Sequence, residues 1–264
     1  MDGVCAQRPC HMINVMNHPL LIFVLSFVML ELSVVIGDFV RKKLRPLEEG
    51  QREDLGVVQA AVMTLLVLLI GFAFSMAVTR YDQRKNYEEE EANAIGTEYL
   101  RAGLLPAPDT QRVRELLRQY LDQRVLFYTT HDVRRLRQTD IITIQLQNDL
   151  WSVVQARGVS RPTPIVALAV SGMNDVVNSQ GYTRAAWWNR IPVAAWVLLA
   201  AIAIGCNLLI GYGAHRKSPL LFMVFPLAVS VSFFLIADID SPREGVIRVR
   251  PQNLLSLSRS LHPD

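Results

Sequence analysis

The chain has 264 residues, 51% of them hydrophobic, and a mean hydropathy of +0.23, with its apolar residues gathered into long blocks, so the bilayer is the first solvent to consider. The net charge is only +3, and the basic residues flank apolar blocks in short clusters, which argues against nucleic-acid binding. Cys5, Cys10 and Cys206 are too few for a disulfide framework, and Cys5, Cys10 and His11 lack the spacing and the fourth ligand of a metal site.

Residues 1–18 read as a flexible tail, with translation starting at Met12 or Met16 as an alternative. The first apolar block, 19–40, has no A-x-A cleavage pattern and is stopped by Arg41, Lys42, Lys43 and Arg45, which makes it an uncleaved membrane helix. Three further blocks, 57–79, 192–213 and 219–237, are each near the twenty residues that cross a bilayer. Proline opens the first, third and fourth, and Trp187, Trp188 and Trp196 lie where an aromatic belt places them. The short connections 41–56 and 214–218 pair the spans into two hairpins, 19–79 and 192–237.

Between the hairpins, residues 80–191 are too charged for lipid and too periodic for disorder. The helix of the second span meets no glycine or proline between Thr79 and Gly96, so it is expected to continue to about Leu105, where Pro106 and Pro108 end it. Asp109 or Thr110 can cap the next helix, with Val113, Leu116, Leu117, Tyr120, Leu121 and Val125 on its apolar face. A third helix spans 132–156 and a fourth 164–178. A Ser179-Gln180-Gly181 turn then returns the chain to the membrane, and 238–264 is a C-terminal tail. The fold class is all-α: four transmembrane helices in two hairpins, with a helical extramembrane domain inserted between the second and third.

Arg41, Lys42, Lys43, Arg45, Arg52, Arg216 and Lys217 load the short loops, a pattern that leans towards both tails and the central domain outside the cytoplasm and leaves the orientation open. Arg80, Arg84, Lys85, Arg184, Arg190, Arg243 and Arg248 near the other helix ends weigh the opposite way.

Polar residues inside a membrane are expensive, so Glu31 and Asn207 are candidates for a bond with one another, a wet pathway, or a packing contact. In the second span, Gly71, Ser75 and Thr79 permit close helix packing, or line a pore constricted by Phe72 or Phe74. Glu88, Glu89, Glu90 and Glu91 are either a solvated face or, in an oligomer, an acidic vestibule attractive to cations. Asp238 and Asp240 either cap the exit of the fourth span and pair with Arg243 or hold a divalent cation. No other cofactor is implied. H-E-x-x-H, G-x-S-x-G and phosphate-cradling glycine loops are all missing from the sequence, so no enzyme is expected.

Residues 71–84, Gly-Phe-Ala-Phe-Ser-Met-Ala-Val-Thr-Arg-Tyr-Asp-Gln-Arg, followed by Glu91-Ala92-Asn93-Ala94-Ile95-Gly96-Thr97 and Tyr99-Leu100-Arg101-Ala102, resemble the bestrophin-like domain family of bacterial membrane proteins. The ending Leu235-Ile236-Ala237-Asp238-Ile239-Asp240-Ser241-Pro242-Arg243 with Gly245 is similar to that family's ending. The resemblance implies kinship with bestrophins: pentameric ion channels with four membrane helices per subunit and a pore lined by the second. The expectation is therefore a homo-oligomeric ion channel of the bacterial inner membrane, whose partners are lipid, further copies of itself and ions. The alternative is a non-conducting scaffold or sensor acting through the central domain.

Overall fold

The computed structural model describes residues 18–43, 49–213 and 219–262. Among these, every regular element is helical: α1 Pro19–Lys43, α2 Glu49–Arg101, a 3-10 turn Ala102–Leu104, α3 Ala107–Thr129, α4 Val133–Ser160, α5 Pro164–Trp188, α6 Val193–Gly213, α7 Pro219–Asp240 and α8 Gln252–Leu261. Four helical stretches are long and apolar enough to cross a membrane. The connection read as 41–56 is shorter than expected, because Arg41, Lys42 and Lys43 belong to α1 and α2 begins at Glu49. The tail residues 1–17, including Cys5 and Cys10, and the loop residues Arg45, Arg216 and Lys217 lie outside the described residues.

The chain divides into two compact units, one of Met1–Arg80 with Arg190–Arg248, the other of Tyr81–Asn189 with Val249–Asp264. In the first, α1 packs on α6 and α7, and α6 on α7. Gly37 and Gly211 make the α1–α6 approach possible, since a Cβ on Gly37 would overlap the Leu208 carbonyl and one on Gly211 the Val34 carbonyl. Ser26 and Ser33 donate their hydroxyls to the Phe23 and Met29 carbonyls of their own helix, so each is buried without an unmet donor. Leu20, Val24, Val35 and Phe39 stay exposed on α1, as lipid requires.

In the second unit, α3 packs on α4, α4 on α5, and α8 on α3. Ile95, Leu117, Tyr120, Leu121, Leu150, Met173, Val176 and Leu254 form its fully buried core. The caps differ from expectation at α3, which starts at Ala107 behind Pro106. Thr110 donates its hydroxyl to the Ala102 and Leu105 carbonyls at 2.9 and 2.8 Å, and Asp109 pairs with Arg157 of α4. Asp132 caps α4 by accepting from Arg134 N at 2.8 Å, and Thr163 caps α5 by accepting from Val166 N at 3.2 Å.

Two expectations are overturned. The Ser179-Gln180-Gly181 turn does not form: α5 runs through it to Trp188, with Ser179, Gln180 and Thr183 on its buried face and open space beside Gly181. Segment 238–264 is no mere tail either, because α8 inserts Leu254 into the core and Arg118 Nε donates to the Leu261 carbonyl at 3.1 Å.

Candidate functional site

The second helix, α2, carries most of the candidate residues, and its 53 residues allow each to be assigned to a face. At about 100° per residue, Leu66, Ala73 and Ala77 share one side in the membrane unit and are buried, while Thr64, Gly71, Ser75 and Thr79 fall on the opposite side and are exposed. Phe72 is 59% and Phe74 42% exposed, and they stand about 80° to either side of that small, polar line. The structure thus groups Ser75 and Thr79 on one face and puts the two rings on its opposite flanks. A Cβ at Gly71 would meet nothing within 4 Å, so Gly71 does not serve packing inside one chain.

The same helical register sorts the four consecutive glutamates. Glu89 and Glu90 are exposed, with Glu89 in line with Asp82 and Asn93, whereas Glu88 and Glu91 are buried. Glu88 accepts hydrogen bonds from Asn253 N and Leu254 N, each at 3.0 Å, and from Asn253 Nδ2 at 2.7 Å, so it caps the first turn of α8. Glu91 pairs with Arg124 Nε and Nη2 and accepts from the Thr183 hydroxyl at 3.1 Å, with both charged side chains fully buried. Burial alone would lower the Arg124 pKa, but the Glu91 carboxylate beside it holds the guanidinium above its ordinary value. Arg124 also lies over the Phe127 ring at 4.5 Å, and Trp187 meets Phe127 and Tyr128 edge to face at 4.9 and 5.3 Å. Arg84, buried on the same side of α2, donates to the Ala186 carbonyl at 3.3 Å. The solvated face expected of the four glutamates therefore reduces to Glu89 and Glu90.

Sequence reasoning missed Arg84, Arg124 and Thr183. A signal was present for Arg124, which sits in the apolar register of Tyr120, Leu121, Phe127 and Tyr128, where an arginine requires a buried anion.

Glu31 and Asn207 do not bond to one another. Asn207 Nδ2 donates to the Ala203 carbonyl of its own helix at 2.7 Å, and Asn207 Oδ1 and Glu31 Oε1 are buried without a partner.

The carboxylates of Asp238 and Asp240 serve the backbone. Asp238 accepts from Val246 N at 2.7 Å and Ile247 N at 2.9 Å, and Asp240 from Ile191 N at 3.3 and 3.2 Å, which ties the end of α7 to the residues before α6. Gly245 has no Cβ to overlap the Asp238 carbonyl and lets that turn close. Among the described residues no group of three or more His, Cys, Asp and Glu could hold a metal ion.

The fold is similar to crystal structures of a bacterial bestrophin homolog from Klebsiella pneumoniae. One, solved by Zn-SAD phasing, has a TM-score of 0.64 at 14% identity over 92% of this chain and 96% of that one. Two point variants give 0.64 at 14% identity and 0.61 at 16%, each over 90% of this chain and 97% of theirs. At such identities the likeness is one of fold. No curated protein matches the chain. Residues 24–254 match the family described as the Bestrophin-like domain. With its four apolar helices, the chain is a multi-pass membrane protein that belongs to the Bestrophin-like family.

Proposed function

We propose that the protein is a homo-oligomeric ion channel with α2 around its axis. The observation that carries this reading is the unused face of α2. Thr64, Gly71, Ser75 and Thr79 are exposed in a single chain, on a helix whose opposite face is buried, and a line of small and hydroxyl-bearing residues is a poor surface for lipid. Thr64 and Thr79 return their hydroxyls to the Ala60 and Ser75 carbonyls, leaving lone pairs for water or ions. Around an axis, the Phe72 and Phe74 rings of neighbouring copies meet on the flanks of that line and set its width. Within the extramembrane unit the exposed residues Asp82, Glu89 and Asn93 share one face of α2 and form a polar vestibule, charged by Asp82 and Glu89, while Glu88 and Glu91 hold that unit together. A pentamer is the stoichiometry the family suggests, and the loop charges favour the extramembrane unit outside the cytoplasm.

The test is ion flux from liposomes containing the purified protein, compared with a Phe72→Ala, Phe74→Ala variant of the same oligomeric size. The channel reading expects flux from the protein and an altered rate from the variant. Absence of flux from both, across a range of pH and of calcium concentration, refutes it in favour of a scaffold.

A further inference from the structure

Glu98 is fully buried, and neither carboxyl oxygen has a hydrogen-bond partner. An ionised carboxylate cannot persist in such a position without a donor, whereas a neutral acid can. The space it occupies is made by Gly172 of α5: a Cβ there would overlap Glu98 Oε2 and would stand 2.6 Å from Arg101 Nη1. The carboxyl and the guanidinium therefore flank one point, yet Arg101 is directed to Asp175 of α5, at 3.8 Å in a half-exposed pair. Arg101 from α2 and Asp175 from α5 are the charged groups that act on Glu98, and the intervening turn Ala102–Leu104 has no ionisable side chain.

We propose that Glu98 is a proton-binding site and that losing its proton transfers Arg101 from Asp175 to Glu98, loosening α5 from α2. The chemistry balances as a simple ionisation: the carboxyl O–H releases its proton to water, and the new carboxylate takes the guanidinium as its counter-ion. Neither group needs to travel far, because both already border the point beside Gly172 that a Cβ would fill. Burial, opposed by Arg101 and assisted by Asp175, moves the Glu98 pKa from 4.5 up to about 8, so the change falls within reach of physiological pH. Between those two values the unfolded chain has lost this proton and the folded chain keeps it. Rising pH therefore weakens folding by as much as about tenfold per unit across that window and has no further effect through this group above about 8. The site does not depend on the channel reading, since it lies within the extramembrane unit and is defined in one chain.

The test is infrared titration of the full-length protein in mild detergent from about pH 3 to about pH 10. The expected result is a carboxylic-acid C=O band lost with a midpoint near pH 8 and missing in Glu98→Gln. Amide exchange in the residues around Gly172, corrected for intrinsic rate, should rise through the same midpoint in the natural protein and stay flat in that variant. Asp175→Asn keeps the carboxyl but removes the neighbouring negative charge, so its midpoint should move down. A band lost only in the ordinary glutamate range, a band that survives Glu98→Gln, or unchanged exchange through the midpoint overturns the proposal. If Glu98→Gln does not fold, an unmoved midpoint in Asp175→Asn does the same.

Discussion

Replacing Arg124 by Met should remove most of the stability of the extramembrane unit, and a second replacement should return much of it. Glu91 and Arg124 are both fully buried and paired, so Arg124→Met leaves a carboxylate in the core with the Thr183 hydroxyl as its remaining side-chain donor. Breaking a buried pair from one side costs about 3–5 kcal/mol, because the surviving charge keeps its desolvation penalty and loses its counter-charge. For a unit of this size that corresponds to a fall in Tm of about 10 °C or more. The double variant Glu91→Leu, Arg124→Met removes both charges and fills the space with apolar atoms, so it should recover at least half of the loss. Thermal melts followed by circular dichroism in one detergent, with oligomeric size checked by light scattering, supply the cycle. A loss under about 1 kcal/mol from the single variant, or a double variant no better than the single, would refute the account of Glu91 as a structural carboxylate.

Glu88→Ala removes the acceptor for Asn253 N and Leu254 N, and hydrogen exchange at the start of α8 should rise about tenfold, consistent with the loss of about 1–2 kcal/mol for a helix cap. Leu254→Ala, at a fully buried core position, should cost about 2–5 kcal/mol in thermal or denaturant melts. Gly211→Val should prevent the close approach of α1 and α6 and lower the yield of monodisperse protein, whereas Gly71→Ala, with open space around it, should leave subunit stability unchanged. Asp240→Ala should unfasten the residues before α6 and raise exchange at Ile191, with little effect on α8.

The four spans were legible because a run of about twenty apolar residues has few other uses, and the continuation of α2 past Thr79 followed from the lack of a breaker before Gly96. The roles within the acidic run were obscured by adjacency. Four consecutive glutamates look alike in sequence, but a helix turns Glu88 and Glu91 to the side of Arg84 and Ile95 and leaves Glu89 and Glu90 outside. The partners that keep those carboxylates buried come from α3, α5 and α8, far along the chain, and no local pattern names them. A glycine beside Ser and Gln has the composition of a turn, yet α5 continues through Gly181 with Ser179, Gln180 and Thr183 on its buried face. The α8 helix was available in the spacing of Leu254, Leu257 and Leu261, a short apolar stripe passed over at the end of a membrane chain. For the α1–α6 contact, Ser33 with Gly37 and Asn207 with Gly211 stood four apart and carried more packing information than Gly71 with Ser75.

The most direct test of the central claim places single cysteines along α2 in a background with Cys5, Cys10 and Cys206 replaced by Ser, and measures liposome ion flux before and after a charged, water-soluble thiol reagent. The account predicts that cysteines at Ser75, Thr79 and Glu89 are modified and change the flux, and that one at Ala73 or Ala77, on the buried face, does not. Modification with altered flux at Ala73 or Ala77 and none at Ser75 would contradict α2 as the lining of an aqueous path.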